Sequence, residues 1–152
     1  MISKDHFLNS HIDNSHDKQR EKYRILNLLY YVSPDWTLSK GGHLEPWPEG
    51  LEGAQTVVES RFNRLEIMVT HTRSWHSVSK VVDDGQRCCV SNYYFSPDPA
   101  EQNEYFHVTS FRGRPEQGLR DLVLRGDIAL RTALRKLFPK GVVENKHFYD
   151  KK

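Results

Sequence analysis

Cysteine is nearly absent from this 152-residue chain: there are two, Cys88 and Cys89, and they are neighbours. Adjacent side chains are poorly placed for an ordinary disulfide, so no disulfide framework can form and a reducing, cytoplasmic setting is expected. Long apolar runs are missing too. No stretch approaches the roughly 20 residues of a membrane helix, and residues 1–20 lack the apolar centre of an export signal, so neither a membrane nor export is expected. Charge of one sign is also lacking. The 22 Lys and Arg stand against 20 Asp and Glu, a net charge of +2. The basic residues are interspersed with acids at 18–22 and 112–125 rather than gathered in a stripe with aromatics, which excludes nucleic acid as an expected partner. There is no internal repeat, and the length fits one domain with one site.

What is present is a series of short segments cut by turn residues, at 6–13, 25–32, 42–47, 56–60, 64–70, 76–82 and 87–95. That spacing predicts an all-β sandwich or barrel. In the segment RLEIMVT, Leu65, Ile67 and Val69 alternate with other residues, as on a strand with one face buried. After SPDPAEQNEY the period changes. Leu119, Leu122, Val123, Leu130, Ala133, Leu134 and Leu137 recur at helical spacing, predicting an amphipathic helix over 115–138 that Pro115 begins and Pro139 with Gly141 ends. Gly118 and Gly126 each weaken it by about 1 kcal/mol relative to Ala. Its apolar face is expected to dock on the outside of the sheet or to form a dimer contact. The segment 106–117 reads as a linker into the helix or part of a lid, and 142–152 as a loosely ordered tail.

Chemistry enters at HIDN, where His11 and Asp13 are two residues apart and therefore share one face of a strand. An imidazole and a carboxylate there make a two-point clamp for a divalent ion, though the pair also suits a polar strand end. One more imidazole would complete a 2-His-1-carboxylate triad with open coordination positions. His76, in RSWHSV, offers it. Arg87 follows at the start of RCCVSNYYF, and a buried strand arginine is costly unless it meets an anion, which its fork grips at two points.

Other residues compete for these roles. His43 and Glu45 also have clamp spacing; His16 and Asp17 point to opposite faces of any strand; His71 faces away from His76 in an extended chain; His6, His107 and His147 have no partner at metal spacing. Cys89 shares a face with Arg87, but cysteine serves equally as a small apolar residue. Trp75 and Tyr93 read as core residues or as pocket walls.

The order HIDN, LLYYVSPDW, KGGHLEPWPEG, FNRLEIM, SWHSV and RCCVSNYYF resembles the prolyl 4-hydroxylase-like 2-oxoglutarate/Fe(II) dioxygenase superfamily over about residues 5–96, most closely the oxygen-sensing prolyl hydroxylases. The resemblance implies a mainly β fold, a double-stranded β-helix (a cupin-like jelly roll) followed by the C-terminal amphipathic helix. Residues 1–97 would form the catalytic core and 98–152 an extension of the same domain. It implies that His11, Asp13 and His76 hold Fe(II), and that Arg87 and Tyr30 bind the distal carboxylate of 2-oxoglutarate. Ser91, four residues past Arg87 and on its face, would lie near the cosubstrate. The implied reaction consumes molecular oxygen, decarboxylates 2-oxoglutarate to succinate and hydroxylates a C–H bond of a peptide or small-molecule substrate, with ascorbate as a possible aid.

The chain departs from the family in one respect. The resemblance starts about five residues before the strand of His11, so the family's first strand and leading helices are expected to be lacking. A sheet edge left open in this way calls for a dimer or a partner to cover it. Two functions follow as expectations: an active dioxygenase, or a catalytically inactive cupin-like binding module completed by a partner.

Overall fold

Short apolar segments separated by Gly, Pro and Asp can pair only through tight antiparallel connections or loops. In the computed structural model, which describes residues 1–102 and 106–138, they do so. The strands are β1 (Ile2–Ser3), β2 (Leu8–Ile12), β3 (Tyr23–Tyr31), β4 (Leu44–Pro46), β5 (Leu65–Val69), β6 (His76–Val78), β7 (Gln86–Arg87), β8 (Cys89–Ser96) and β9 (Ser110–Phe111). A 3-10 turn lies at Leu38–Lys40, and one helix, α1 (Gly118–Leu137), follows the strands. A four-stranded sheet runs β4-β6-β2-β9, a three-stranded sheet β5-β3-β8, and β1 pairs with β7. Every pairing is antiparallel. The apolar core is small, comprising Ile12, Tyr31, Trp36, Leu44, Trp47, Val78 and Val81, and many polar side chains are buried beside it, among them Asn9, His11, Asp13, Asn27, His76 and Arg87. No described helix is long and apolar enough to cross a membrane.

The double glycine after the 3-10 turn is there for backbone reasons. Gly41 and Gly42 both have φ of 71°, the left-handed region that side chains disfavour. A Cβ on Gly41 would also collide with the Lys80 carbonyl. Gly42 can therefore come close to β7, where its carbonyl oxygen accepts a hydrogen bond from Arg87 Nε at 2.8 Å.

Several expectations from the sequence need correction. Residues 56–60 make only an isolated bridge, Val58 to Leu44, instead of a strand. A strand does stand ahead of β2, since β1 pairs Ile2 with Arg87. The expected strand over 87–95 is interrupted at Cys88, whose amide N–H donates to the Ser33 hydroxyl at 2.7 Å rather than to a sheet neighbour. The segment 106–117 contributes β9 to the four-stranded sheet, pairing Phe111 with His11.

In β5 the buried face is the reverse of the one the alternation suggests. Pairing with β3 sets Glu66 opposite Leu29 and Met68 opposite Asn27, which turns them to the side of Asn27 and Tyr31, both buried. Leu65, Ile67 and Val69 face outward with Tyr30, Val90 and Tyr94, all exposed. The interior of this sheet holds polar groups, and a one-residue step flips every side chain.

Helix α1 does not dock its apolar stripe over the outside of a sheet, the first of the two placements expected for it, but packs beside β9. Leu119, Leu122, Val123, Leu130 and Leu137 are exposed. Polar anchors on the opposite side set this orientation. Asp121 accepts from both Nε and Nη2 of Arg112 and from the Gly113 amide, and pairs with Arg125. Arg20 Nη2 donates to the carbonyl of Arg135 at 2.6 Å. The tail expected to be loosely ordered, 142–152, lies outside the described residues.

Candidate metal centre

Antiparallel register assembles the centre. His76 on β6 and Phe111 on β9 are the cross-strand partners of His11 on β2, so three rings lie in one row across the sheet. The ring centroids of His11 and His76 are 4.1 Å apart, and Phe111 stacks on the other side of His11 at 4.9 Å. Asp13 follows β2 on the face of His11. One donor atom from each of His11, Asp13 and His76 lies within 4.8 Å of the others, and all three residues are buried.

Backbone carbonyls set the imidazole tautomers. His11 Nδ1 lies 2.9 Å from the Asn9 carbonyl and His76 Nδ1 lies 2.9 Å from the Ser74 carbonyl. A carbonyl only accepts, so each ring donates from Nδ1 and Nε2 is the nitrogen left to face an ion, the arrangement that orients metal-binding histidines. Burial, followed by the neighbouring His76, lowers the His11 pKa to about 4, so this ring is neutral at physiological pH. Asp13 is fixed from two sides. Asn27 Nδ2 donates to its Oδ2 at 3.1 Å, and the Arg24 guanidinium lies 3.7 Å from Oδ1. Ser91 Oγ in turn donates to Asn27 Oδ1 at 3.2 Å. Two imidazoles and one carboxylate on one side of an ion form the donor set of a facial triad, so the residues present fit a non-haem ferrous ion.

A second group lies farther along β3. Arg87 is buried, and its hydrogen bonds go to the Gly42 carbonyl and, from Nη1, to Cys89 Sγ at 3.0 Å. No carboxylate of the described residues forms an ion pair with it within 4.0 Å. Its guanidinium carbon sits 5.3 Å from the centre of the Tyr31 ring. The Tyr31 hydroxyl donates to Glu66 Oε2 at 3.1 Å. Burial, followed by the charge of Glu66, raises the Tyr31 pKa, and burial raises that of Glu66 to about 7. A buried guanidinium whose direct hydrogen bonds go to a carbonyl and a thiol, with Glu66 no closer than the far side of the Tyr31 hydroxyl, is poised to receive an anion.

Of the residues singled out from the sequence, His11, Asp13 and His76 meet at one point, and Arg87 is buried as an anion site requires. Tyr30 is not brought to this group. It lies on the outer face of β3, where its hydroxyl donates to Asn63 Oδ1 at 2.6 Å; Tyr31, one residue on, is the tyrosine beside Arg87. Ser91 touches Asn27 and reaches the metal centre through it. The rival pair resolves into structural roles. His43 is bonded at both ring nitrogens, to the Leu38 carbonyl and the Ser60 amide. Glu45 accepts from Ser77 and Arg114. Tyr93 carries the Arg24 guanidinium 3.8 Å above its ring centre. Sequence reasoning missed Tyr31, Asn27, Glu66 and Phe111. Alternation along β3 carried a signal for the first two, because Asn27, Leu29 and Tyr31 share a face and an asparagine within ILNLLYY needs a buried partner.

An antiparallel β protein in which two imidazoles and one carboxylate converge, with a buried guanidinium farther along β3, has the donor set of a mononuclear non-haem metal site. The comparison with protein families is consistent with such a site and narrows its class: the chain belongs to the 2OG-Fe(II) oxygenase superfamily, whose family model matches residues 1–95. The matched span holds His11, Asp13, His76, Tyr31 and Arg87 and stops short of Phe111 and α1. No curated protein matches the chain.

Proposed function

We propose that this chain is an active iron(II)- and 2-oxoglutarate-dependent dioxygenase. It would hydroxylate a C–H bond of a peptidyl proline or a small molecule while 2-oxoglutarate is decarboxylated to succinate. The observation that carries this reading is the convergence of His11, Asp13 and His76 in a protein whose buried Arg87 forms no ion pair within 4.0 Å among the described residues. Bound ferrous iron supplies the oxygen-activating redox chemistry, which side chains lack. The protein's own residues supply the rest. His11 and His76 would present Nε2, and Asp13 a carboxylate oxygen, with Asn27 and Arg24 holding that carboxylate in place.

Arg87 and Tyr31 would bind the distal carboxylate of 2-oxoglutarate, the tyrosine role passing from Tyr30 to its neighbour. Asn27, which marks the metal end of β3, and Tyr31, which marks the other, are four residues apart, about 13 Å along a strand. With side chains reaching inward from both ends, that interval suits a five-carbon dicarboxylate. Phe111 shields one side of His11 from water. The jelly-roll topology implied by the family accords with two antiparallel sheets contributing to one site. The choice between a peptidyl and a small-molecule substrate rests on family analogy.

The test is succinate formation. Protein loaded with Fe(II) without oxygen, then given 2-oxoglutarate and oxygen with or without ascorbate, should release succinate slowly even without substrate. Arg87→Gln should abolish the release. Folded, iron-loaded protein that forms no succinate would favour the inactive cupin-like binding module instead.

A further inference from the structure

The anion corner contains a group that its proposed task does not require. Glu66 projects from β5 to the same side of the sheet as Tyr31 and shares the Tyr31 hydroxyl. Its Oε2 accepts that hydroxyl, whereas Oε1 is buried without a hydrogen-bond partner among the described residues. The charged or titratable groups facing it are Tyr31 from β3, Arg87 from β7 and Arg64 just ahead of β5. An ionised carboxylate beside the place where another carboxylate must bind would repel it and offset the attraction of Arg87. A neutral carboxylic acid there has the opposite effect, because its O–H can donate to the incoming anion.

We propose that Glu66 belongs to the carboxylate subsite as the protonated acid, so that binding of 2-oxoglutarate is accompanied by uptake of one proton from solvent. The inference rests on the cosubstrate reading above and adds a regulatory property to the same site. In the free protein burial holds the Glu66 carboxyl at about 7. The binding-competent, neutral form is therefore nearly fully populated at pH 6 and falls to about 3% at pH 8.5, which weakens apparent affinity by about thirtyfold across that interval. Tyr31 bridges the two acids, accepting or donating as the proton requires. Glutamine, with an amide in place of the acid and no charge at any pH, should remove the dependence while leaving the Tyr31 hydroxyl an acceptor.

The experiment uses Mn(II)-loaded protein without oxygen, so that 2-oxoglutarate binds and is not consumed. Calorimetric titrations from pH 6 to 8.5, in buffers of different ionisation heat, give affinity and protons exchanged together. The wild type should lose about thirtyfold in affinity and take up nearly one proton at the alkaline end, and Glu66→Gln should bind with a nearly flat pH profile. Equal profiles for the two proteins, or no proton uptake by the wild type, would overturn the proposal; the second readout needs no variant. Flat binding that Arg87→Gln weakens would remove the role of Glu66 and keep the cosubstrate reading. Absence of 2-oxoglutarate binding at every pH, with Mn(II) bound, would remove both.

Discussion

The adjacent tyrosines of β3 give the sharpest test of how this site is built, because phenylalanine at either position removes one hydroxyl and little else. Tyr31 is fully buried, and its hydroxyl is the partner of Glu66 Oε2. Since Glu66 Oε1 has no hydrogen-bond partner among the described residues, Tyr31→Phe leaves a half-buried carboxyl with neither oxygen bonded to them, a loss of about 1–3 kcal/mol of stability. The ring beside Arg87 is kept, so packing changes little. Tyr30 is 39% exposed and bonds Asn63; water replaces that partner, and Tyr30→Phe should cost no more than about 0.5 kcal/mol. Urea denaturation at pH 8, where Glu66 is largely charged, should separate the two variants by at least about 0.5 kcal/mol, with Tyr31→Phe the less stable. In anaerobic 2-oxoglutarate titrations Tyr31→Phe should weaken affinity about tenfold, equivalent to about 1.4 kcal/mol, and Tyr30→Phe less than twofold. A larger effect on affinity from Tyr30→Phe would refute the strand facing on which the anion corner depends.

Other outcomes follow from the same geometry. Because the His11 pKa is depressed to about 4 by burial, the unfolded metal-free chain binds a proton below about pH 6.5 that the folded one refuses. Stability should therefore be complete above pH 6.5 and fall between pH 6.5 and 4, by on the order of 2–3 kcal/mol; denaturant melts at pH 7 and 4.5 check this, and His11→Asn should flatten the slope. Arg112, ahead of the smaller effects of the Gly113 amide and Arg125, holds the Asp121 carboxyl down at about 2. Its contribution should be fully present above about pH 4 and be lost as the pH falls through 2, and Asp121→Ala should cost about 1–3 kcal/mol, read from urea melts followed by helix signal.

Much of the metal centre was legible in the sequence because its determinants are local or periodic. Two residues at i and i+2 on a strand share a face, and the motif order around His76 and Arg87 pointed to the family that the comparison then matched. The unread parts depend on register between distant strands. Which of Tyr30 and Tyr31 faces inward is decided by pairing with β5 and β8. Nor could the apolar alternation of β5 reveal its reversal, since hydrophobic residues mark the core only where the interior is apolar, and this interior holds imidazole, carboxylate and guanidinium. Phe111 was hidden for a different reason. A two-residue strand has no periodicity, and β9 forms only because β2 offers it an edge. In α1 the period predicted a helix correctly and its apolar side misled, because the ion pairs of Asp121 fix the opposite side against the body.

Ferrous uptake tests the central claim most directly. Anaerobic titration of the metal-free protein with Fe(II), followed by calorimetry, should show one ion bound per chain, with affinity lost at least tenfold in His76→Ala and in Asp13→Ala while both variants stay folded. Failure of the wild type to bind iron, or unchanged binding in those two variants, would contradict the assignment of the centre.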